Sequence, residues 1–256
     1  MSTIDGSSVS PPAPSPATPR SGPSRGRLVA RAPSLARRPS RTASRLALCS
    51  SLALCASLAL ASSSCTPQGD PAIGASGFTD AFERDELGDA WLNTGAGWRI
   101  QDGQLTIRNC RNRPLWLQRV LPRDVRIEFD VRSESPEGDI KVEVFGDGSS
   151  RATTESYTAT SYVVIFGGWG NSLNVLARMD EHGADRVVGA RQRVEMGRTY
   201  RMRVERRATR ITVWIDDQEI MSMDDPRPLE GRGHDHFAFN DWQAELWFDN
   251  LTITAL

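Results

Sequence analysis

The sequence predicts that residues 78–256 form an all-β domain, a sandwich or barrel of antiparallel strands. Two observations lead to this prediction: apolar and polar residues alternate along several short segments, and tight-turn sequences separate those segments. Strict alternation is typical of strands with one dry face and one wetter face, whereas parallel sheets covered by helices show continuous apolar runs. No segment shows convincing helical periodicity over three turns.

The strand segments and turns can be placed individually. The clearest alternation runs through residues 125–132, 140–144, 200–205 and 211–216. Asp102-Gly103 lies between two apolar stretches, and this pair favours a type I′ hairpin turn because both turn residues need positive φ. Asp217-Gln218 separates two further apolar segments and predicts a second tight turn.

The first 64 residues differ in composition from the rest and predict a basic disordered region with a signal peptide. They contain eight arginines, one acidic residue and no aromatic residue, so they cannot bury enough apolar surface to fold. The uncharged apolar run 46–61 suits the apolar region of a signal peptide and is too short to span a membrane. Residues 65–77 form a Pro/Gly-rich linker before the β-domain.

The small residues that end in Cys65 resemble the processing site of a bacterial lipoprotein signal. On this interpretation Cys65 becomes the lipidated N-terminus, and the linker tethers the β-domain to a membrane of the cell envelope. An ordinary signal peptide cut near Ser63 or Ser64 is the alternative, and the protein would then be secreted.

Charge and cysteine content narrow the possible partners and the source of stability. From residue 65 onward, acidic residues outnumber lysine and arginine by eight, which speaks against nucleic acid as a partner. Cys110 is the only cysteine of the predicted domain, so no intrachain disulfide holds it, and we interpret Cys110 as a small buried hydrophobe. Lys141 is the only lysine of the chain, which we interpret as coding bias without a physical role.

Three stretches together resemble the concanavalin A-like lectin/glucanase superfamily. They are 78–91 (FTDAFERDELGDAW), 98–105 (WRIQDGQL) and 247–253 (WFDNLTI). Within that superfamily, the chain is most similar to LamG-like and 3-keto-disaccharide-hydrolase-like domains of bacterial surface proteins. The resemblance implies a two-sheet antiparallel jelly roll with adjacent first and last strands, and it implies a carbohydrate partner by analogy.

Glucanases of this superfamily carry paired carboxylates in the pattern Glu-x-Asp-x-x-Glu on one strand. The nearest match here is Glu128-Phe-Asp130-Val-Arg-Ser-Glu134, in which the last glutamate comes one residue late. Arg132 alternates onto the same face and would hold both acids ionised. We therefore interpret this segment as a charged solvent-facing surface.

Two further groups of residues suggest metal sites. His234 and His236 would point to one side of a strand, as metal ligands do, with Asp241 or His182 as the third ligand and Asp241 also as an acid/base group. A polar loop or a ligand-contacting loop are the alternatives. Asp80 and Asp249 lie in the opening and closing strands, where the resemblance implies a structural Ca²⁺. A simple hydrogen bond at a strand end is the alternative for Asp249.

Tryptophans predicted to lie off the core are candidates for binding sugar rings. Trp169 lies in a Gly-rich turn next to Asn171, Trp214 alternates away from its apolar neighbours, and Trp242 follows the histidine segment. Sugar C–H faces stack on tryptophan while amides bind hydroxyls.

The leading functional hypothesis from the sequence is a surface-displayed, non-catalytic carbohydrate-binding module. The first alternative is a glycoside hydrolase that acts on a modified disaccharide and uses His234, His236 and Asp241. The second is a structural or protein-binding module of the cell envelope.

Overall fold

The computed structural model describes residues 69–154 and 157–256, which form a sandwich of two antiparallel β-sheets. The predicted basic region, the apolar run 46–61 and the lipidation site Cys65 lie outside the described residues.

Within the described residues the chain forms fifteen strands and one short helical turn. In chain order they are β1 (Phe78–Asp80), β2 (Trp91–Asn93), β3 (Arg99–Gln101), β4 (Gln104–Arg108), β5 (Leu115–Leu117), β6 (Val125–Ser133), β7 (Ile140–Gly146), β8 (Tyr162–Gly167), α1 (Gly168–Asn171), β9 (Leu173–Arg178), β10 (Val187–Val188), β11 (Thr199–Arg207), β12 (Arg210–Ile215), β13 (Gln218–Asp224), β14 (His236–Asn240) and β15 (Glu245–Ala255).

The strands divide between two sheets. An eight-stranded sheet has the order β13-β12-β11-β6-β15-β4-β3, with β1 also paired to β15, and a seven-stranded sheet has the order β10-β9-β8-β7-β14-β5-β2. The pairing of β1 with β15 confirms that the first and last strands are adjacent. The predicted all-β jelly-roll sandwich is therefore confirmed.

Both predicted hairpin turns form, one of them displaced by a residue. Asp102 and Gly103 have φ of 52° and 70°, as a type I′ turn requires. The second turn uses Asp216 and Asp217, with φ of 50° and 63°, so the prediction of Asp217-Gln218 was wrong by one position. Gln218 instead begins β13, because two acidic residues tolerate the left-handed region better than a glutamine between paired strands.

The inward faces of the two sheets meet in an aromatic cluster centred on Phe239 of β14. Its ring centroid lies 4.4 Å from that of Phe248, 4.9 Å from Phe237, 5.4 Å from Phe129 and 5.6 Å from Trp91. These residues come from both sheets, so the cluster holds the layers together by burial and by ring contacts.

The second face of the seven-stranded sheet is also covered. Residues of β7 are buried on both faces, whereas β6 in the other sheet alternates between buried and half-exposed residues. Loops that follow β4, β7, β9 and β14 lie over this outer face. Within the described residues, no helix has the length and apolar character needed to cross a membrane.

Phe239→Ala should lower the free energy of unfolding by about 3–5 kcal/mol, because it removes a ring that contacts five others in the core. Chemical denaturation followed by tryptophan fluorescence measures the change. Met196→Ala is the matched control, because its side chain is 62% exposed and its loss should cost less than about 0.5 kcal/mol. A loss below about 1 kcal/mol for Phe239→Ala would contradict this account of the core.

Candidate functional site

The outer face of the seven-stranded sheet holds a cavity of about 680 Å³, a size typical of small-ligand sites. Strands β7 and β8 form its floor, and the segments that follow β4, β6, β7, β8, β9 and β14 form its walls. The lining residues that the following paragraphs use are Asn112, Asp139, Lys141, Tyr157, Trp169, Glu181, His182 and Trp242.

Three ionisable residues reach this face from one strand. Asp139 immediately precedes β7, and Lys141 and Glu143 follow at alternate positions. Residues two apart in a strand point to the same side, so all three face away from the aromatic core. The intervening Ile140 and Val142 are fully buried in the core between the sheets. The two-residue repeat of the strand thus places its charged side chains on the outer face of the sheet.

Lys141 is buried, and its ammonium group is paired. The Nζ atom lies 2.8 Å from Oε2 of Glu181 and donates to Oδ1 of Asn112 at 3.0 Å. Burial alone would lower the pKa of Lys141, but the carboxylates of Glu181 and Asp139 outweigh it and raise the pKa above its usual value. The lysine therefore remains a cation at the floor of the cavity.

Glu143 lies next to Lys141 and is fully buried beneath Tyr157. It accepts hydrogen bonds from Oγ of Ser161 at 2.6 Å, from Nδ2 of Asn240 at 2.7 Å and from the hydroxyl of Tyr157 at 3.1 Å. Burial raises the pKa of Glu143 to about 7, although these hydrogen bonds and Lys141 oppose the shift. Glu143 therefore titrates near neutral pH.

Asp139 and Asp241 form a second pair of coupled carboxyl groups. Asp139 lines the cavity and accepts a hydrogen bond from the backbone N–H of Trp242 at 3.1 Å. Asp241 is buried behind it and accepts from the backbone N–H groups of Ala244 at 2.9 Å and Cys110 at 3.3 Å. Burial raises the pKa of Asp241 to about 8, with the charge of Asp139 adding to the effect, and burial also raises the pKa of Asp139. The pair therefore holds a proton at neutral pH.

Two of the predicted aromatic residues form walls of this cavity. The Trp242 ring is half-buried, and the guanidinium of Arg111 lies 4.7 Å from its centroid. The Trp169 side chain is 37% exposed in the turn after β8, with the guanidinium of Arg186 at 4.9 Å and the His182 ring edge-on at 5.5 Å. Trp169 has a φ of 51°, so the turn holds the ring in place at a cost in backbone strain.

The other two predicted sugar-binding residues do not reach this cavity. Trp214 is on the outer face of the eight-stranded sheet, where the guanidinium of Arg203 covers it at 4.5 Å. Asn171 is buried, and its amide donates to the carbonyl groups of Pro136 and Val194. Its Oδ1 accepts from the N–H of Val194, so the side chain braces a loop.

The histidine pair and Asp241 do not form one site. His234 lies before β14 and donates from Nδ1 to the carbonyl oxygen of Thr160 at 2.7 Å. His236 begins β14, with Nε2 2.9 Å from Oδ2 of Asp70, whereas Asp241 follows the far end of that strand. Within residues 69–154 and 157–256, no three His, Cys, Asp or Glu side chains are grouped closely enough to hold a metal ion.

The opening and closing aspartates also lie apart. Asp80 faces the core and accepts from Nε1 of Trp91 at 2.8 Å and from the guanidinium of Arg84, whose NH2 nitrogen lies at 2.8 Å. Asp249 lies on the outer side of the sheet and accepts from Nε2 of Gln104 at 3.2 Å. The bonds of Asp80 occupy both its oxygens, so a shared cation site does not follow from this pair.

The segment of β6 that most nearly matched the glucanase pattern lies on the outer face of the eight-stranded sheet. Asp130 pairs there with Arg201 at 3.2 Å, and Arg132 pairs with Glu134 at 2.6 Å. This arrangement agrees with the interpretation as a charged solvent-facing surface.

Sequence reasoning missed the ionisable residues in and beneath the cavity, namely the lining residues Asp139, Lys141 and Glu181 and the fully buried Glu143. A signal for one of them was present, because Lys141 is the only lysine among thirty-one basic residues. Arginine remains charged under nearly all conditions, whereas lysine changes its protonation readily when buried, so a single lysine can mark a site of chemistry.

The raised pKa values of Glu143 and Asp241 predict that the free energy of unfolding falls as pH rises from 5 to 9. Each group binds its proton more tightly in the folded state, so its contribution is present at low pH and is lost through about pH 7 and 8. The loss should be on the order of 2 kcal/mol per group. Denaturation midpoints measured across this pH range test the prediction.

Glu143→Gln should reduce the fall of the free energy of unfolding with pH, because glutamine does not titrate. The hydroxyl groups of Ser161 and Tyr157, which donate to Glu143, can instead accept hydrogen bonds from the new amide. Glu128→Gln on the outer face of the other sheet is the matched control and should leave the slope unchanged. A wild-type protein whose stability is constant or rises between pH 5 and 9 would show that these carboxyl groups are not held protonated.

Comparison with known proteins connects this fold to carbohydrate-related families. The chain is 26% identical over 160 residues to an extracellular exo-alpha-L-arabinofuranosidase of Streptomyces chartreusis, a match that covers 62% of this chain and 18% of that protein. The matched part is thus less than a fifth of that relative.

Two solved structures share the sandwich. Carbohydrate binding module CBM66 from Bacillus subtilis superposes with a TM-score of 0.50 at 16% identity, covering 65% of this chain and 96% of the module. A structure from work on endo-acting O-glycanases of the human gut microbiota superposes with a TM-score of 0.52 at 14% identity, covering 70% of this chain and 98% of the other. At these low sequence identities, the similarity shows a shared fold alone.

The family match is more extensive than these likenesses, since it covers residues 77–254. That range includes both sheets and every residue that lines the cavity, from Asn112 to Ala244. The chain therefore belongs to the 3-keto-alpha-glucoside-1,2-lyase-like domain family.

Proposed function

We propose that this protein is a carbohydrate-active enzyme whose site is the cavity on the outer face of the seven-stranded sheet. One observation carries the proposal: the buried Lys141 and the carboxyl group of Asp139, whose pKa is raised by burial, line a cavity large enough for a sugar. Burying such charges costs several kcal/mol, and a surface that only binds sugar does not need them.

The substrate class we propose is a glycoside oxidised to a ketone at C3, in keeping with the family to which the chain belongs. The ketone makes the hydrogen on C2 acidic. When a base removes that proton, the C1–O bond breaks and a C1=C2 double bond forms. The departing oxygen takes up a proton, so atoms and electrons balance without an oxidant.

Residues that line the cavity have the properties that these steps require. Asp139 lines the cavity with a raised pKa and is the candidate for the base. The Lys141 ammonium group would stabilise the negative charge that develops on the ketone oxygen. Asp241 is buried and does not line the cavity, and the pKa of Asp139 is raised by burial and by the charge of Glu181. Glu137 and His182 also line the cavity and can supply the proton to the departing oxygen.

A non-catalytic carbohydrate-binding module remains the second candidate. It is favoured by the two tryptophans, Trp169 and Trp242, that lie at the walls of the cavity where a sugar ring could stack. On this alternative the charges at the floor would bind sugar hydroxyl groups.

We propose further that the protein acts outside the cytoplasm, attached through a lipid on Cys65. The apolar run 46–61 and the small residues before Cys65 support this location. The partial relative described as extracellular is consistent with it.

Release of 4-nitrophenol from 4-nitrophenyl 3-keto-α-glucoside tests the enzymatic proposal. The wild-type protein should release it, and Asp139→Asn should lower kcat/KM by roughly 10²-fold or more, because general acid–base catalysis contributes at least that much. Lys141→Met should also lower the rate, because it removes the cation and introduces no polar group in its place.

Glu128→Gln is again the matched control and should retain full activity. Wild-type protein that binds the compound without releasing 4-nitrophenol would replace the enzymatic proposal with the binding module. Equal activity in the wild type and Asp139→Asn would show that this carboxyl group is not the base.

A further inference from the structure

A second, smaller cavity of about 300 Å³ adjoins the first. Its lining residues are Arg111, Arg113, Ala152, Thr153, Thr154 and Trp242. Trp242 lines both cavities, so one ligand can extend from the first cavity into the second past the Trp242 ring.

The two arginines are presented by a strained and tightly fixed segment. Arg111 and Asn112 have φ of 56° and 54°, a region that costs about 1 kcal/mol or more per residue outside glycine. Backbone N–H groups of these two residues donate to the carbonyl oxygens of Trp242 at 3.0 Å and Asp241 at 3.1 Å. Strain of this kind persists only where the surroundings fix it, and it is concentrated at functional sites.

The conformation separates the roles of three consecutive residues. Asn112 is buried and turns inward, where its Oδ1 accepts from Lys141. Arg111 and Arg113, on either side, are exposed and border the second cavity. One short segment therefore contributes both to the floor of the first cavity and to the basic wall of the second.

Arg111 and Arg113 differ from most arginines of the two sheets in their contacts. Within the part of the chain that the structure describes, no carboxylate pairs with Arg111 or Arg113, and Arg111 contacts the face of Trp242 instead. Most other arginines of the two sheets have an acidic partner, including Arg126, Arg132, Arg201 and Arg210. Two unpaired guanidinium groups beside an aromatic ring provide planar donors for an oxyanion.

The first cavity would repel the same group. Its lining includes the acidic residues Glu137, Asp180 and Glu181. A ligand with one negative charge would therefore be oriented, with the charge toward the arginines and the neutral ring over Asp139 and Lys141.

Resting on the proposed function, we propose that the second cavity is a subsite for an oxyanion-bearing sugar unit, a uronate carboxylate or a sulfate ester. Arg111 and Arg113 bind the oxyanion, and Trp242 contacts the sugar that carries it. The substrate class is then an acidic glycoside whose charged unit adjoins the ring in the first cavity.

Isothermal titration calorimetry of the purified protein with three disaccharides tests this subsite. The probes are cellobiose, its analogue with one glucuronate unit and its analogue with one 6-sulfate group. The glucuronate or sulfate probe should bind roughly 10- to 100-fold tighter than cellobiose, the range expected for a charge-assisted contact. Preference for the glucuronate probe alone identifies a carboxylate, and preference for the sulfate probe identifies a sulfate ester.

Arg113→Gln should lower this preference, and the double variant Arg111→Gln/Arg113→Gln should reduce it to about one, the preference being the ratio of affinities within each variant. Arg151→Gln is the matched control, because this exposed arginine lies outside the cavity lining and should retain the preference. Equal affinity for all three probes, or a preference that survives in the double variant, would overturn the subsite. Release of 4-nitrophenol from 4-nitrophenyl 3-keto-α-glucoside without a preference among the three disaccharides would remove the subsite alone, whereas a preference among them without release of 4-nitrophenol would remove the proposed enzymatic function alone.

Discussion

The buried ion pair between Lys141 and Glu181 is the interaction on which the candidate site depends. Their atoms lie 2.8 Å apart, and the lysine side chain is almost inaccessible to water. A buried ammonium group is tolerated only when its charge and its N–H donors are matched, and breaking such a pair leaves an uncompensated charge. Because Glu181 comes from the loop after β9 and Asn112 from the loop after β4, satisfying Lys141 also fixes two loops against β7.

The two faces of the seven-stranded sheet therefore perform different tasks. The inner face contributes Phe237 and Phe239 to the aromatic core, where apolar burial supplies the stability of the sandwich. The outer face carries the charged residues, whose burial opposes stability and whose raised pKa values make proton transfer near neutral pH feasible. The sheet can carry both faces because the apolar core holds its strands at a fixed spacing despite the free-energy cost of burying the charged residues.

Much of the fold could be predicted from the sequence because it follows from local patterns. Alternation along β6, β7, β11 and β12 determined which residues face the core, and it also placed Lys141 and Glu143 away from it. The interpretation of that second face as a wetter surface was wrong for β7, since loops cover it and bury Glu143 completely. The conformation of such loops depends on contacts between residues that are distant in sequence, and the alternation of apolar and polar residues along a strand does not reveal these contacts.

The site itself was predicted only in part, for the same physical reason. Trp169 and Trp242 were chosen because they lie off the core, and they lie at the walls of the cavity. Trp214 satisfied the same criterion but belongs to the opposite sheet, and alternation alone cannot distinguish the outer faces of two sheets. Asp139 and Glu181 were missed because their partner in the folded chain is Lys141, whose rarity was attributed to coding bias.

A crystal structure of the Asp139→Asn protein in complex with a 3-keto disaccharide tests the central claim most directly, because this variant should bind the sugar without consuming it. We expect the keto sugar ring in the cavity between Trp169 and Trp242, with its ketone oxygen within hydrogen-bond distance of Lys141 Nζ. A sugar bound instead on the outer face of the eight-stranded sheet, beside Trp214, would show that this cavity is not the site.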